Sequence, residues 1–329
     1  MPNCSADQIV IVSGVQQALD ILARVLLRPK DSAWMEDPGY FGAVTAFRNA
    51  GVKIVPVPID EQGIALDVGK RRAPYAKVVY LTPAHQFPLG VMMSLERRLD
   101  ILSWTAKTGA FVIEDDYDGE YKLEGRPVSV LQSLDKNENV ILVGSFNKLL
   151  FSSLRVGYMV LPERLVDTVL AFRFGIDQNA VGLEQAILAD FIEEGHLGRH
   201  IRRMRDLYAD RLQTLRNQSE KQLKGLLEIP EILAGLYTVG FLCNGMSSRE
   251  AEAAARSHGV ETMALDRFML NATRSEGLLL GFAAFDRRAI ERGVVSLSYR
   301  FPEHNCFGAI GKGLTLTRSS GIAEQCRRG

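Results

Sequence analysis

Short apolar segments alternate with segments of helical periodicity from about residue 9 to residue 162. Each apolar run is only a few residues long, and polar groups follow its carboxyl end, which is typical of strands buried in a parallel sheet. The alternation predicts βαβ units and an α/β fold with a mostly parallel sheet that helices cover on both faces. Polar residues after these strands should therefore meet at the carboxyl edge of the sheet, where α/β folds bind ligands.

The pattern changes after residue 162. Residues 163–224 are predicted to be largely helical, and residues 235–300 show a smaller pattern that predicts an α+β domain. Its expected elements are strands at 236–242, 260–265 and 278–283, and helices at 247–257 and 286–298. We therefore expect a large domain over residues 1–215, a small C-terminal domain over 216–302, and a poorly ordered tail over 303–329, which has no clear periodicity.

Lys148 closes the apolar run that begins at Val140, and Arg155 follows seven residues later. A lysine at the carboxyl edge of a sheet can lose its proton when it is desolvated and can then act as an amine nucleophile. The alternative is an ordinary solvated loop lysine. The run by itself does not decide between these interpretations.

A cluster of carboxylates and one tyrosine follows the next apolar run upstream, in Glu114-Asp-Asp-Tyr-Asp118. These carboxylates would repel one another unless a cation lies among them. Three interpretations are open: a site for a hard metal ion such as Mg²⁺, a solvated acidic loop, and a carboxylate that faces a protonated ring nitrogen with a phenol beside it.

Three further strand ends carry polar or aromatic groups. At Ser13-Gly14 a strand leads into an amphipathic helix, whose free backbone N–H groups can bind an anion such as phosphate, although most turns of this kind are plain βα connections. Pro38-Gly39 places Tyr40 near a strand end, where it could stack on a flat ring or be an ordinary half-buried tyrosine. The third strand is followed by the turn that contains His85 and Gln86.

These strand ends together offer partners for a phosphate, a flat ring, a ring nitrogen and a carbonyl. The sequence resembles the fold type I, aspartate-aminotransferase-like family of pyridoxal-phosphate proteins, over about residues 5 to 300. It is most similar to the aminotransferase domain of MocR-type regulators and to 2-aminoadipate aminotransferases. The motifs that carry the resemblance are Ser-Gly-Val-Gln-Gln-Ala at 13–18, Glu-Asp-Pro-Gly-Tyr at 36–40, Thr-Pro-Ala-His-Gln-Phe-Pro-Leu-Gly at 82–90, Glu-Asp-Asp-Tyr-Asp at 114–118, and Ser-Phe-Asn-Lys at 145–148 with Arg155.

The resemblance implies pyridoxal 5′-phosphate as the cofactor and assigns roles to the matching residues. Lys148 would be the catalytic residue that forms a Schiff base with the cofactor, and Asp115 would pair with the pyridine nitrogen. Tyr117 would bind the phenolic oxygen of the ring and Tyr40 would stack on its face. The remaining cofactor contacts would come from Ser13, Gly14, the backbone amides of Val15 and Gln16, His85, Ser145 and Arg155. The resemblance leaves the roles of His85 and Gln86 open.

Several positions depart from the family pattern. Val15 and Asn147 stand where the family commonly has hydroxyl residues, and Gly42 stands where some effector-binding relatives carry an arginine. The arginine that usually binds the substrate carboxylate is not evident, and Arg267 and Arg274 are the nearest candidates. The chain also begins about a dozen residues before Ser13, so we expect the winged helix-turn-helix of MocR regulators, and part of the catalytic fold, to be absent.

The 39 basic and 39 acidic residues give a formal net charge of zero, which provides no drive toward nucleic acid or anionic membranes. The four cysteines are scattered, without metal-binding spacing, and no signal peptide or membrane-length apolar run appears. We expect a cytoplasmic protein with reduced thiols, no metal ion, and no nucleic-acid or membrane partner.

The sequence therefore predicts a pyridoxal-phosphate-dependent aminotransferase that acts on amino acids and 2-oxo acids, with its active site at a homodimer interface as in the family. The alternative is an effector-binding module of a MocR-type transcription regulator, which binds the cofactor and an amino acid without turnover. A truncated fragment that cannot fold stably is a third possibility.

Overall fold

The computed structural model describes residues 3–122, 129–177, 182–232, 234–243, 245–271 and 276–298. Within these residues the first part of the chain forms an eight-stranded sheet in the order β1-β8-β7-β6-β5-β2-β3-β4. Its strands are β1 Ile9–Val12, β2 Ser32–Asp37, β3 Lys53–Asp60, β4 Gly63–Ile64, β5 Val78–Leu81, β6 Phe111–Asp116, β7 Val140–Ser145 and β8 Gly157–Val160. The strand–helix alternation of the sequence is confirmed in this sheet.

The sheet is mostly parallel, as expected. Strands β3, β2, β5, β6 and β7 pair in parallel, whereas β8 is antiparallel to both of its neighbours, β7 and β1. Strand β1 therefore runs in the same direction as β7. The carboxyl ends of β1 and β7 and the amino end of β8 consequently lie at one edge of the sheet, and the residues that follow or precede them there are brought together.

Helices cover both faces of the sheet. One core contains Leu19 and Leu22 of α1 packed against strand residues such as Ile113, and the other contains Trp34, which stacks on Trp104 of α4 with ring centroids 4.1 Å apart. The helices of this part are α1 Val15–Leu26, α2 Phe41–Asn49, α3 Leu66–Arg72, α4 Leu95–Thr108, α5 Leu131–Leu134, α6 Glu163–Asp177, α7 Gly182–Glu193 and α8 His196–Gln222. Because successive strand residues point to opposite faces, the continuous apolar runs supply both cores.

The second unit is a four-stranded antiparallel sheet in the order β11-β12-β10-β9. Its elements are β9 Leu227–Glu228, β10 Tyr237–Leu242, α9 Ser248–Ser257, β11 Met263–Ala264, β12 Gly277–Gly281 and α10 Arg287–Ser298. Helix α9 begins with a capping box in which the Ser247 and Glu250 side chains satisfy each other's backbone amides. The expected α+β arrangement is present.

The expected strand at 260–265 was too long. Only Met263 and Ala264 pair with β12, and the chain then turns into a short 3-10 helix, Leu265–Phe268. Leu265 is buried from that turn. Its apolar side chain fits the core from either backbone conformation, so the apolar run alone could not mark the end of the strand.

Helix α8 is continuous across residue 215, and its residues Leu212 and Leu215 pack in the core of the second unit. The division of the chain at residue 215 therefore stays a prediction. The two units are in contact, because Val239 of β10 and Leu279 of β12 belong to the same apolar cluster as Trp34. The predicted tail over 303–329 lies outside the described residues.

Candidate active site

Two loops meet at one edge of the sheet: the turn after β1 and the connection from the end of β7 to the start of β8. A β-carbon built on Gly14 would lie 3.1 Å from the side-chain amide nitrogen of Asn147, Nδ2, and 3.9 Å from the Arg155 guanidinium. A β-carbon on Gly157 would lie 2.9 Å from the Gly14 Cα. Ser145 pairs with Gly157 across the two strands, and its hydroxyl accepts a hydrogen bond from the backbone N–H of Asn147 at 3.2 Å. Glycine is required at this close approach of backbone segments.

The Gly14 turn has the properties of an anion site. Gly14 has a φ of 140°, which L side chains rarely adopt, and it is the residue before helix α1. The backbone N–H groups of Val15 and Gln16 lie in the first helical turn, where they have no intrahelical acceptor and carry the positive end of the helix dipole. Arg155 is exposed beside this turn, with φ 53° and ψ 40°. The geometry can hold a phosphate group.

Lys148 lies in the turn directly after β7 and is exposed to solvent. The next residue fixes this turn, because the buried Leu149 carbonyl accepts hydrogen bonds from the Tyr121 hydroxyl at 2.8 Å and from His200 Nε2 at 2.9 Å. Tyr121 belongs to a short 3-10 helix after β6, and His200 belongs to helix α8. Neither contact was evident from the sequence.

Asp115 is buried on β6, and its carboxylate has one satisfied and one unsatisfied oxygen. The Tyr80 hydroxyl donates to Oδ2 at 2.6 Å, whereas Oδ1 has no hydrogen-bond partner among the described residues. Burial raises the pKa of Asp115 to about 7, the Tyr80 bond acts to lower it, and the nearby charges of Asp116 and Asp118 raise it further. A cationic donor placed at Oδ1 would stabilise the ionised carboxylate.

Tyr40 precedes helix α2 and is half buried. Its hydroxyl donates to the Gln16 Oε1 at 3.3 Å, and Gln16 Nε2 donates to the Gly42 carbonyl at 3.0 Å. These bonds connect the loop after β2 to the first turn of α1. Tyr40 also packs edge-on against Phe87 with ring centroids 6.0 Å apart. The structure thus places Tyr40 beside the anion turn, as a ring-stacking role requires.

His85 and Tyr117 belong to a buried hydrogen-bond network. His85 Nδ1 lies 2.9 Å from the Asp118 carboxylate, and the Tyr117 hydroxyl lies 2.8 Å from the His85 carbonyl, 3.0 Å from Nδ1 and against the Tyr237 hydroxyl. An ionised carboxylate only accepts, so Nδ1–H donates to Asp118 and the Tyr117 hydrogen goes to the His85 carbonyl. The Tyr117 and Tyr237 hydroxyls are also hydrogen-bonded to each other. In this arrangement, the Tyr117 hydroxyl hydrogen is already engaged within the protein.

The other acidic groups of the strand end have separate partners. The Glu114 carboxylate accepts from the backbone amides of Leu131 and Gln132 at 2.7 and 2.8 Å, and Asp116 accepts from the Gly119 amide at 3.1 Å. No group of three or more histidine, cysteine or acidic side chains is placed to hold a metal ion within the described part of the chain.

Arg267, one candidate for the substrate carboxylate, is paired with Glu252, whose two oxygens lie 3.1 and 2.9 Å from its Nε. The other candidate, Arg274, lies outside the described residues. Sequence reasoning missed Tyr80 and Tyr237. Asp118 was visible in the acidic motif but had no assigned contact.

Comparison with known proteins identifies the family. The family of aminotransferases of class I and II matches residues 3–274. The chain is 38% identical to the probable rhizopine catabolism regulatory protein MocR of Rhizobium meliloti over 324 residues, which cover 98% of this chain and 64% of that protein.

The chain belongs to the class I and II aminotransferases. Among solved structures, a kynurenine aminotransferase of Pyrococcus horikoshii superposes with a TM-score of 0.84 at 27% identity, covering 91% of this chain and 76% of that one. The α-aminoadipate aminotransferase LysN of Thermus thermophilus, in complex with N-(5′-phosphopyridoxyl)-L-leucine, superposes with a TM-score of 0.81 at 28% identity, covering 89% and 76%. The chain therefore has the fold type I architecture expected from its motifs. It spans about two thirds or less of the length of the regulators it matches.

Membership of this family implies pyridoxal 5′-phosphate as the cofactor. The residues present fit that group. Oδ1 of buried Asp115, which has no partner in the described part of the chain, suits a protonated ring nitrogen, and the turn at Gly14 with Arg155 suits a phosphate. No helix among the described residues is long and apolar enough to cross a membrane.

Proposed function

We propose that this chain is a pyridoxal-phosphate-dependent aminotransferase that transfers amino groups between amino acids and 2-oxo acids. The observation that carries the proposal is the buried Asp115 oxygen that has no hydrogen-bond partner among the described residues. It lies on a strand that ends at the same sheet edge as the Gly14 anion turn and the Lys148 turn. A buried carboxylate in this condition costs stability unless a cationic group satisfies it.

The residues would divide the work in the following way. Bound pyridoxal phosphate supplies an electron-withdrawing ring that takes up the charge left when the substrate loses its α-proton. Asp115 keeps the ring nitrogen protonated through a charge-assisted hydrogen bond. Lys148 would hold the cofactor, and its amine would move the α-proton of an amino substrate as general base and acid.

The remaining groups would orient and hold the cofactor. Tyr40 stacks on the ring, and the Val15 and Gln16 amides bind the phosphate together with Ser13, Ser145 and Arg155. Tyr117 can contact the phenolic oxygen of the cofactor in two ways. Its hydroxyl can turn away from the His85 carbonyl and donate to that oxygen, or the Tyr117 oxygen can accept a hydrogen bond from it. His85 acts one step away, because it orients Tyr117 and is itself held by Asp118.

A second candidate function is an effector-binding module of a transcription regulator that binds the cofactor and an amino acid without turnover. The similarity to MocR over 98% of the chain supports it. The pairing of Arg267 with Glu252, which leaves that arginine engaged within the protein, is also compatible with weak turnover.

We also propose that the protein is a cytoplasmic homodimer. Apolar side chains are exposed on consecutive helices α6 and α7, and an exposed apolar surface of this kind is typical of a protein interface. These side chains are Leu170, Phe174, Ile176, Leu183, Ile187 and Ile192. The four cysteines are scattered through the sequence, which suits a reducing compartment. Phe174→Glu should convert a dimer to monomers in analytical ultracentrifugation, and a wild type that sediments as a monomer would contradict the dimer.

The function is tested by the visible absorption spectrum of the purified chain with added pyridoxal phosphate. Wild type should acquire the cofactor band and Lys148→Ala should lose it, while Lys53→Ala, an exposed lysine at the start of β3, should behave as wild type. Amino acids are then added one at a time. Release of 2-oxo acid supports the aminotransferase, and a spectral change without release supports the binding module. A wild type that takes up no cofactor would refute both.

A further inference from the structure

Tyr80 is buried on β5, directly beside the strand that carries Asp115. The parallel register places Tyr80 opposite Ile113 of β6, and side chains two residues apart on a strand lie on the same face. Tyr80 and Asp115 therefore lie on the same face of the sheet, one step apart toward the carboxyl edge. Tyr80 has only 1% of its surface exposed and Asp115 has 4%.

The contact between them has a defined direction. The tyrosine hydroxyl donates to Oδ2 at 2.6 Å, a length within the range of charge-assisted O–H···O bonds. This bond fixes the rotation of the carboxylate about its terminal torsion, which otherwise has a broad range. The second oxygen, Oδ1, is left without a partner in the part of the chain that the structure describes.

A buried tyrosine hydroxyl does not need a carboxylate as its acceptor. Tyr121, which is also buried, satisfies its hydroxyl with the Leu149 backbone carbonyl. Tyr80 instead uses the carboxylate that the cofactor requires. Its bond also opposes the surrounding electrostatics, because burial and the charges of Asp116 and Asp118 all favour the protonated form of Asp115.

We infer that Tyr80 is a positioning residue for the cofactor: its hydroxyl holds Oδ2 of Asp115 so that Oδ1 faces the ring nitrogen. This inference rests on the proposed function. Without the hydroxyl, Asp115 is free to rotate and loses a hydrogen bond that stabilises its ionised form. The ring nitrogen is then held less well, although every group that contacts the cofactor directly is still present.

The test compares Tyr80→Phe with Thr105→Val. The first variant keeps the ring that fills the core and removes only the hydroxyl. The second removes a buried hydroxyl bond, from Thr105 to the Leu102 carbonyl, on the distant helix α4. The dissociation constant of pyridoxal phosphate is measured by absorbance titration of the apoprotein, and the cofactor band is followed against pH in each protein.

Tyr80→Phe should weaken cofactor binding about tenfold or more, as expected for a hydrogen bond to a charged group, and should change the pH dependence of the band. Thr105→Val should bind as wild type. In an Asp115→Asn background, Tyr80→Phe should have little further effect on binding, since the two residues act as a unit. This comparison separates positioning from a general loss of core stability.

Two outcomes overturn the inference in distinguishable ways. If wild type binds the cofactor, and Tyr80→Phe binds as tightly with an unchanged pH dependence, the positioning role fails while the proposed function stands. If wild type binds no cofactor, the proposed function fails and the inference fails with it. Several titratable groups act electrostatically on Asp115 or Tyr80 and enter the pH profile. They are Asp116, Asp118, Glu36, Tyr40, Tyr117, Tyr158 and Tyr237.

Discussion

The Asp37 carboxylate accepts a hydrogen bond from the Leu270 backbone amide at 2.8 Å, across 233 residues of sequence. Its second oxygen accepts from the Asn271 amide at 2.9 Å, and the Gly39 amide donates to the Phe268 carbonyl at 2.9 Å. The loop that carries Tyr40 is thereby attached to the second unit. Asp37 is buried, so these bonds are shielded from water.

Asp37→Asn should destabilise the protein by about 1–3 kcal/mol, because an amide offers only one acceptor oxygen and its NH₂ group faces a backbone N–H that loses its partner. Urea unfolding measures the loss. Asp31→Asn is the matched control, since the Asp31 carboxylate accepts from the Arg28 amide within its own turn at 2.8 Å, and the change should cost less. Equal losses in the two variants would contradict a special role for the long-range contact.

Glu36 is a buried carboxylate at the end of β2 that the proposed chemistry does not use. Oε2 accepts from the Thr82 hydroxyl at 2.6 Å, while Oε1 has no partner among the described residues. Burial raises its pKa from 4.5 to about 7, against the opposing hydrogen bonds from Thr82 and Gln86. Between these two values, the folded protein binds a proton that the unfolded chain releases.

The free energy of unfolding of the wild type should therefore fall as pH rises from about 4.5 to about 7, by at most about 1.4 kcal/mol per pH unit from this group, and should level off above. Glu36→Gln has no such proton. Its free energy of unfolding, relative to that of wild type, should therefore increase as pH rises through the same window. Urea unfolding of the apoproteins from pH 5 to pH 8 measures the difference. The exposed Glu61→Gln should keep a constant offset, and a constant offset for Glu36→Gln would refute the assignment.

The sequence predicted the sheet edge because the information is local. Each apolar run ends in its own polar residues, and a parallel sheet brings those ends together whatever the exact strand order. For this reason Gly14, Asp115, Lys148 and Arg155 could be proposed as one site. The antiparallel β8 fits the same logic, since Arg155 precedes that strand rather than following it.

Contacts set by strand order and by the second unit could not be predicted. The bond from Tyr80 to Asp115 depends on β5 lying next to β6 in one register, and Tyr80 reads in the sequence as an ordinary member of an apolar run. Tyr237 reaches Tyr117 only because the second unit packs on the first. Arg267 was a candidate for the substrate carboxylate because it lies near a predicted strand that has no arginine of its own. Its pairing with Glu252, which lies on a separate element, could not be predicted from spacing.

Gly14→Ala should weaken cofactor binding more than it weakens the fold. A β-carbon on Gly14 would lie 3.1 Å from the side-chain amide nitrogen of Asn147, and the φ of Gly14 is one that alanine rarely adopts. Gly109→Ala is the control, since Gly109 has a φ of 70° with open space around it. Both variants should lose about 1 kcal/mol or more in urea unfolding from backbone strain, but only Gly14→Ala should raise the dissociation constant of pyridoxal phosphate. Unchanged binding in Gly14→Ala would remove this turn from the site.

The last prediction concerns the two donors that hold the Leu149 carbonyl next to Lys148. Tyr121→Phe or His200→Ala alone leaves one donor in place, and each should cost about 1 kcal/mol. Removal of both leaves a buried carbonyl without either donor, so the double variant should lose more than the sum in urea unfolding. The freed turn should also slow the capture of pyridoxal phosphate by Lys148 in stopped-flow absorbance.

His196→Ala provides the control for the second effect, because His196 is an exposed residue of the same helix, bonded to Glu194. His200→Gln should recover part of the loss if its amide reaches the carbonyl. Strict additivity in unfolding together with wild-type capture rates in the double variant would show that the two donors do not act on Lys148. Because Lys148 itself is exposed, its position depends on the anchoring of the residue that follows it. If the rate constant for cofactor capture falls by more than the lower free energy of unfolding accounts for, that anchor belongs to the active site.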